Sequence, residues 1–148
     1  MIPSQNVKSI VAIGSQSIVG GTGAVGNVVD ARGYDCATFH ISLFCATATS
    51  VPTSLSIQHS DITDSTGFSA IAGFPITSGL PGTVNTSTAV TNSYAVLGLD
   101  LRAKKRYLRL AIIGGTSANT TSAVCVLDNP GEAPISAAAA GSRYFLAT

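Results

Sequence analysis

The sequence predicts an all-β domain: an antiparallel β-sandwich, jelly-roll-like, of about seven to nine short strands. Three observations lead there. Val, Ile and Thr are abundant while helix formers are scarce, with a single glutamate and three lysines in 148 residues. Fifteen glycines and six prolines break the chain at short intervals. Between these breaks apolar and polar residues alternate at a period of two, which puts every second side chain on one face of a strand.

Taken in order, Ser9 to Ile13 and the stretch from Val25 to Val29 read as the first strands. The clearest strand runs from Ala37 to Ala46, with Phe39, Ile41, Leu43 and Cys45 on one face and Thr38, His40 and Ser42 on the other. Leu55, Ile57 and His59 then alternate with Ser54, Ser56, Gln58 and Ser60. Residues 77–92 are rich in Ser, Thr and Gly around Pro81-Gly82 and read as a long surface loop. From Tyr94 to Leu101, Ala95, Leu97, Leu99 and Leu101 line one side. In the next strand Leu108, Leu110 and Ile112 face the core, which turns Tyr107 and Arg109 the other way. A late strand alternates Val124 and Val126 with Cys125 and Leu127.

Residues 1–134 form one domain in this reading, and 135–148 a C-terminal tail. A chain of this length buries roughly two thirds of its unfolded surface and holds a core without metals or disulfides. The tail carries Ala137 to Ala140 and then Tyr144, Phe145 and Leu146. It either folds back on its own domain or serves as an interaction arm to a neighbouring subunit.

Composition narrows the function classes. Only 10% of residues are charged, and Ser and Thr solubilise the chain in place of the usual acids and bases. Such a surface suits wide protein–protein contact, because small side chains lose little rotamer entropy when covered. The net charge of +1 gives no long-range attraction to polyanions. No segment approaches the 18 or so apolar residues of a membrane span, and the first residues lack the pattern of a signal peptide. Three cysteines make an odd count; Cys36 and Cys45, nine apart on one strand, point to opposite faces. Free buried thiols made in a reducing cytosol are expected.

Motifs that resemble chemical sites have simpler readings. Gly21-Thr22-Gly23-Ala24-Val25-Gly26 spells a dinucleotide fingerprint, but Asn27-Val28-Val29-Asp30 favours a strand where a helix must open. A glycine-rich turn between strands is expected. Asp61 to Gly67 holds two carboxylates but lacks the ligand density of a calcium loop, and reads as a hairpin loop with Asx-type bonds. His40 and His59 have no metal-ligand spacing and sit at ordinary sheet positions. Asn119-Thr120-Thr121 matches a glycosylation acceptor by coincidence. No catalytic residues, cofactor or metal are expected: there is no nucleophile elbow and no pair of glutamates.

The most unusual feature is a basic run. Five of the eight basic residues, Arg102, Lys104, Lys105, Arg106 and Arg109, lie within eight positions that lead into Leu110 to Ile113. A nucleic-acid patch needs more positive charge and more stacking aromatics than Tyr107 alone. The run is therefore either the solvated start of a strand or, the favoured reading, a protein interface made by Arg102, Lys104, Lys105, Arg106, Tyr107 and Arg109, with Tyr144 and Phe145 of the tail.

Several short patterns recur together: Gly33-Tyr34-Asp35-Cys36-Ala37-Thr38, then Gln58-His59-Ser60-Asp61, then Lys105-Arg106-Tyr107-Leu108-Arg109 followed by Gly114-Gly115-Thr116, and Asn129-Pro130. Over residues 28–134 the chain resembles small tailed-bacteriophage virion proteins of the capsid decoration or cement type. His59 stands where the pattern has an acid, and the tail lies outside it. The resemblance implies a non-enzymatic structural protein on the capsid surface of a virion. It would bind the major capsid protein, as a homo-oligomer with a trimer favoured. A head–tail or tail-associated structural role is the nearest alternative, and a carbohydrate-binding receptor-recognition module is the alternative of another class.

Overall fold

A computed structural model describes residues 7–46, 50, 52–73, 91–129 and 144–146. Two sheets pack face to face. The first has the order β1 (Val7–Ile18), β9 (Asn119–Asp128), β4 (Cys36–Cys45), β7 (Thr91–Asp100), β10 (Tyr144–Leu146). The second runs β2 (Gly23–Val25), β8 (Tyr107–Ile113), β5 (Ser54–Ser60), β6 (Ser69–Ala70), with β3 (Val29–Asp30) also on β8. All pairs are antiparallel except β10 on β7, which is parallel.

This order is a jelly roll. The chain behaves as one long hairpin whose arms pair β1 with β9, β2 and β3 with β8, β4 with β7, and β5 with β6. Rolling that hairpin brings β9 against β4 and β8 against β5, which closes each sheet. Ten strand segments appear among the described residues. They exceed the seven to nine of the sequence reading because four are two or three residues long.

The core follows from strict alternation. Phe39, Ile41, Leu43, Leu97, Leu99, Cys125 and Leu127 of the first sheet meet Leu55, Ile57, Leu108, Leu110 and Ile112 of the second in one buried cluster. Each of these side chains gains about 1.5–3 kcal/mol by leaving water. Cys36, Cys45 and Cys125 are buried free thiols, as expected. Burial pushes the Cys125 thiol up to about 12.

Three sequence expectations need correction. The first strand is longer than Ser9 to Ile13: two register shifts let it continue to Ile18 after its alternation breaks, and they bury Ala12 and Ile13 side by side. The strand expected from Val25 to Val29 is interrupted. Gly26 N donates to Leu110 O at 2.8 Å and Asn27 N to Ala12 O at 2.7 Å, so the chain leaves β8 to bridge to β1 before β3 begins. Thr91 and Asn92, assigned to the loop, open β7; residues 77–90 of that loop lie outside the described set.

The glycine-rich stretch is a turn, as expected. Gly21 adopts φ 71°, the left-handed region that glycine occupies without a Cβ clash, and β2 follows it rather than a helix. Gly26 stands where a Cβ would lie 2.4 Å from Ala12 O. The motif is thereby accounted for by close packing between the sheets. The fold-back reading of the tail also has a counterpart, since Tyr144–Leu146 pair with β7 of the same chain.

Candidate functional site

The basic run begins where β7 ends. Asp100 is fully buried, and its carboxylate accepts from Arg102 N at 3.0 Å while gripping the Arg102 guanidinium. Lys104 N donates to Leu101 O at 3.0 Å, completing the turn that delivers the chain to β8. Arg102 thus gives the buried Asp100 carboxylate a counter-charge.

Lys105, Arg106 and Arg109 are engaged by residues far away in sequence. Arg106 meets Asp30 of β3 in a two-point contact, Nε to Oδ1 at 2.9 Å and Nη2 to Oδ2 at 2.6 Å. That guanidinium, with the N–H of Arg32, holds the Asp30 carboxyl at about 2, below its ordinary 3.8. Arg106 also stacks over the Tyr107 ring at 4.8 Å. Lys105 Nζ lies 3.2 Å from Asp61. Arg109 Nε donates to Gln58 Oε1 at 2.6 Å, and its guanidinium sits 4.2 Å from the centre of the Phe68 ring. Burial, with Lys105 and Lys104 adding repulsion, lowers the pKa of His59 below the usual imidazole value. Its Nδ1 accepts from Lys105 N at 3.4 Å.

The Gln58–Asp61 and Lys105–Arg109 segments therefore interlock. Gln58 and Ser60 of β5 stand directly opposite Arg109 and Tyr107 of β8, and Asp61 follows on to meet Lys105. Register alone makes these neighbours. The structure unites Lys105, Arg106, Tyr107 and Arg109 in one corner of the second sheet. Tyr144 and Phe145 belong to the first sheet, at its β7 edge, beside Leu97 and Gly98. Tyr144 and Phe145 thus stand on a different sheet from Tyr107 and Arg109. Three of the five cations are matched by carboxylates, so the corner presents ion pairs rather than a positive field.

Nearby, Asp64 Oδ1 accepts from Thr66 N at 3.2 Å, the Asx-type bond expected of the Asp61 to Gly67 loop. Asn119 is buried and donates its Nδ2 to Ser50 O at 2.9 Å, which removes it from the surface a glycan would need.

A second surface escaped the sequence reading. On the outer face of the first sheet Val11, Val124, His40 and Val96 form one row of direct cross-strand neighbours over β1, β9, β4 and β7. Tyr94 flanks the row, its ring 5.9 Å from that of His40 and its hydroxyl in contact with His40 Nδ1. Tyr94 is 61% exposed, Val11 54%, Val124 39% and Phe44 38%. Thr38, Ser42, Thr120 and Ser122 fill the positions between. None of these residues is Asp, Glu, Lys or Arg; the same face carries Asp128 and Asp100 at one end, level with Cys36. Their one sequence signal is that Val124 and Val126 continue an apolar run on both faces of β9, which an alternation test reads as burial on either side.

Two shallow concavities lie among the described residues. The larger, about 380 Å³, is framed by Gly14, Ser15, Gln16 and Asn27, and the other by Gly20, Thr53 and Gly115; neither is lined by a titratable side chain. No group of three metal-ligating side chains occurs among the described residues. No helix among them is long and apolar enough to cross a membrane.

No protein-family model matches the chain, and no curated protein matches it. Among solved structures it is similar to the SPBc2 prophage-derived protein YomS, with a TM-score of 0.41 and 12% identity over 82% of this chain and 93% of that one. It is also similar to the K2 cleaved adhesin domain of Lys-gingipain, with a TM-score of 0.45 and 10% identity over 84% and 91%. A third likeness is to the CBM22-1–GH10 modules of Clostridium thermocellum xylanase 10B in complex with xylohexaose, with a TM-score of 0.37 and 11% identity over 88% of this chain and 27% of that one. At these scores and identities the likenesses carry no argument about activity or partner.

Proposed function

We propose that this jelly-roll protein is a non-enzymatic structural component of a phage particle: a cement protein that seats on the major capsid shell as a homo-oligomer, with a trimer as the expected form. The observation that carries the reading is the stretch of the first sheet's outer face around Val11, Val124, His40 and Val96, which carries no Asp, Glu, Lys or Arg. Covering that stretch strips water from valine, tyrosine, phenylalanine and hydroxyl side chains and desolvates no Asp, Glu, Lys or Arg, in keeping with the depletion of charged residues at the centre of protein interfaces. The resemblance of the Gln58–Asp61 and Lys105–Arg109 patterns to virion proteins supplies the kind of partner. The mechanism is reinforcement by binding, in which contacts spread over several shell subunits oppose rupture by packaged DNA.

The test begins with purified particles of the phage that encodes the chain. Peptide mass spectrometry should find it at a copy number comparable to the capsid protein. A few copies per particle point to the head–tail junction or the tail, and absence rejects the virion reading. Val124→Lys should lower incorporation at least tenfold, since an unpaired charge in a desolvated contact costs more than about 1.4 kcal/mol. Its own fold should change by less than about 0.5 kcal/mol, the usual range for an exposed site. Full incorporation of Val124→Lys would move the docking surface elsewhere.

A further inference from the structure

β1 is an edge of the first sheet: β9 pairs with one side of it, and no strand pairs with the other among the described residues. From Val7 opposite Asp128 to Val11 opposite Val124 it keeps a regular register with β9, and the first shift comes only after Val11. From Ala12 onward the free side begins to be covered, since Asn27 N donates to Ala12 O at 2.7 Å. The open stretch is therefore Val7 to Val11.

One contact fixes which way its backbone groups point. Asn27 Nδ2 donates to Val11 O at 3.0 Å, and Asn27 lies between β2 and β3 of the second sheet, so it reaches Val11 from the side that β9 leaves free. In an antiparallel strand the N–H and C=O of one residue face the same side, and that side alternates along the chain. Val7, Ser9 and Val11 therefore aim their backbone groups away from β9, while Lys8 and Ile10 aim theirs at it. The outward groups of Val7 and Ser9 have no partner among the described residues. Such an edge is a template for another strand.

Its side chains suit a second copy of itself. Val7, Ser9 and Val11 share the outer face and are exposed, while Ile10 packs against the core. Antiparallel pairing about Ser9 sets Ser9 opposite Ser9 and Val7 opposite Val11 of the second copy, so the row of Val96, His40, Val124 and Val11 runs on into a further valine. Lys8 then falls opposite Ile10. Moving the centre to residue 8 would set Lys8 against Lys8, a like-charge pair, and moving it to residue 10 would set Val7 against Ile13, beyond the register shift. Lys8 is also near enough to Asp30 of its own chain to help hold that carboxyl low, which gives its cation a partner away from the incoming strand.

We propose that two copies join through this edge: residues 7–11 of each pair antiparallel about a two-fold axis at Ser9, which makes the two first sheets one continuous sheet. Val7, Ser9 and Val11 each exchange both backbone bonds with the residue opposite, about six bonds in all. Val11 O accepts one of them beside Asn27 Nδ2, since a carbonyl has two lone pairs. The contact is self-complementary, as a two-fold interface requires. The inference stands apart from the virion reading, since it concerns the isolated protein in solution; combined with the trimer of that reading, it gives six copies.

Sedimentation equilibrium tests it on the full chain between about 10 μM and about 1 mM, because a contact of this size lies at the weak end of interfaces. At the upper end the expected mass is an even multiple of 14.9 kDa. Ser9→Lys sets like charges directly opposite across the axis, so it should weaken the association about fivefold or more while the domain melts as before, residue 9 being exposed. Ser9→Cys gives a positive readout. Opposed Cα atoms of a hydrogen-bonded pair lie about 5.5 Å apart, within disulfide range, so mild oxidation should produce a covalent dimer on a non-reducing gel. Lys8→Cys, equally exposed but not opposite itself, should cross-link far more slowly, and the buried native thiols stay out of the reaction. A mass of 14.9 kDa throughout, or an odd multiple of it at the highest concentration, overturns the proposal. So does an association that folded Ser9→Lys leaves unchanged, or Lys8→Cys cross-linking as fast as Ser9→Cys. If Ser9→Lys fails to fold, the two cysteine variants decide the matter.

Discussion

Gly26→Ala adds one methyl group at the point where the chain crosses between the sheets. Its carbon would lie 2.4 Å from Ala12 O, 2.9 Å from Ile13 Cγ1 and 3.1 Å from Leu110 O, and real Cβ atoms essentially never come within 3.0 Å of a neighbour. Two of these obstacles are backbone carbonyls, which cannot rotate away. Both are also engaged, Ala12 O with Asn27 N and Leu110 O with Gly26 N. Relief therefore needs β1 and β8 to separate, and overpacking of this kind costs about 1–3 kcal/mol. Weakening the two hydrogen bonds adds up to about 1 kcal/mol each. A total near 3 kcal/mol corresponds to a fall in Tm of roughly 6–12 °C for a domain of this size. Thermal unfolding followed by circular dichroism measures it. Gly14→Ala is the internal control, because nothing lies within 4 Å of a Cβ at that position. If Gly26→Ala and Gly14→Ala melt together, the contact between β1, residue 26 and β8 is not as tight as described.

Two further predictions concern titratable groups. The folded-state pKa of Asp30, about 2, lies below its ordinary 3.8, so its pairing with Arg106 stabilises the fold above about pH 4 and is lost as pH falls through about 2. Both side chains are two-fifths exposed, so solvent screening holds the effect to under about 1 kcal/mol. The stability gap between wild type and Asp30→Asn in urea melts should therefore close between about pH 5 and about pH 2, and a constant gap would contradict the pairing. The three thiols should resist an alkylating reagent at mildly alkaline pH and react fully in denaturant, because burial raises the pKa of Cys36, Cys45 and Cys125. Rapid labelling of the native protein would show an open edge at β4 or β9.

What could be read from the sequence was the inside of the sandwich. β4 lies within one residue of its expected bounds, and Leu108, Leu110 and Ile112 point inward as their spacing implies, because one face of each strand must be apolar. The break between β2 and β3 was not legible, since its cause is a carbonyl of β1 that only folding brings near Asn27. Nor was the neutralisation of the basic run: Asp30 stands 76 residues before Arg106 and becomes its partner through the pairing of β3 with β8. Val11 and Val124 were the hardest to place. Alternation separates two faces, but it cannot say which is outermost when both carry valine.

The jelly-roll order has a consequence for how the protein is made. The two strands that complete the sheets, β8 and β9, are among the last to be synthesised, and each inserts between partners made earlier: β9 between β1 and β4, β8 between β5 and the β2–β3 edge. A nascent chain that has reached residue 106 holds unpaired strands on both sides of two empty slots. Contact order is therefore high, and the cooperative transition waits for residues 107–128 to leave the ribosome. Premature termination in that interval would leave β1 and β4 with facing open edges, so truncated products should aggregate rather than persist as soluble fragments.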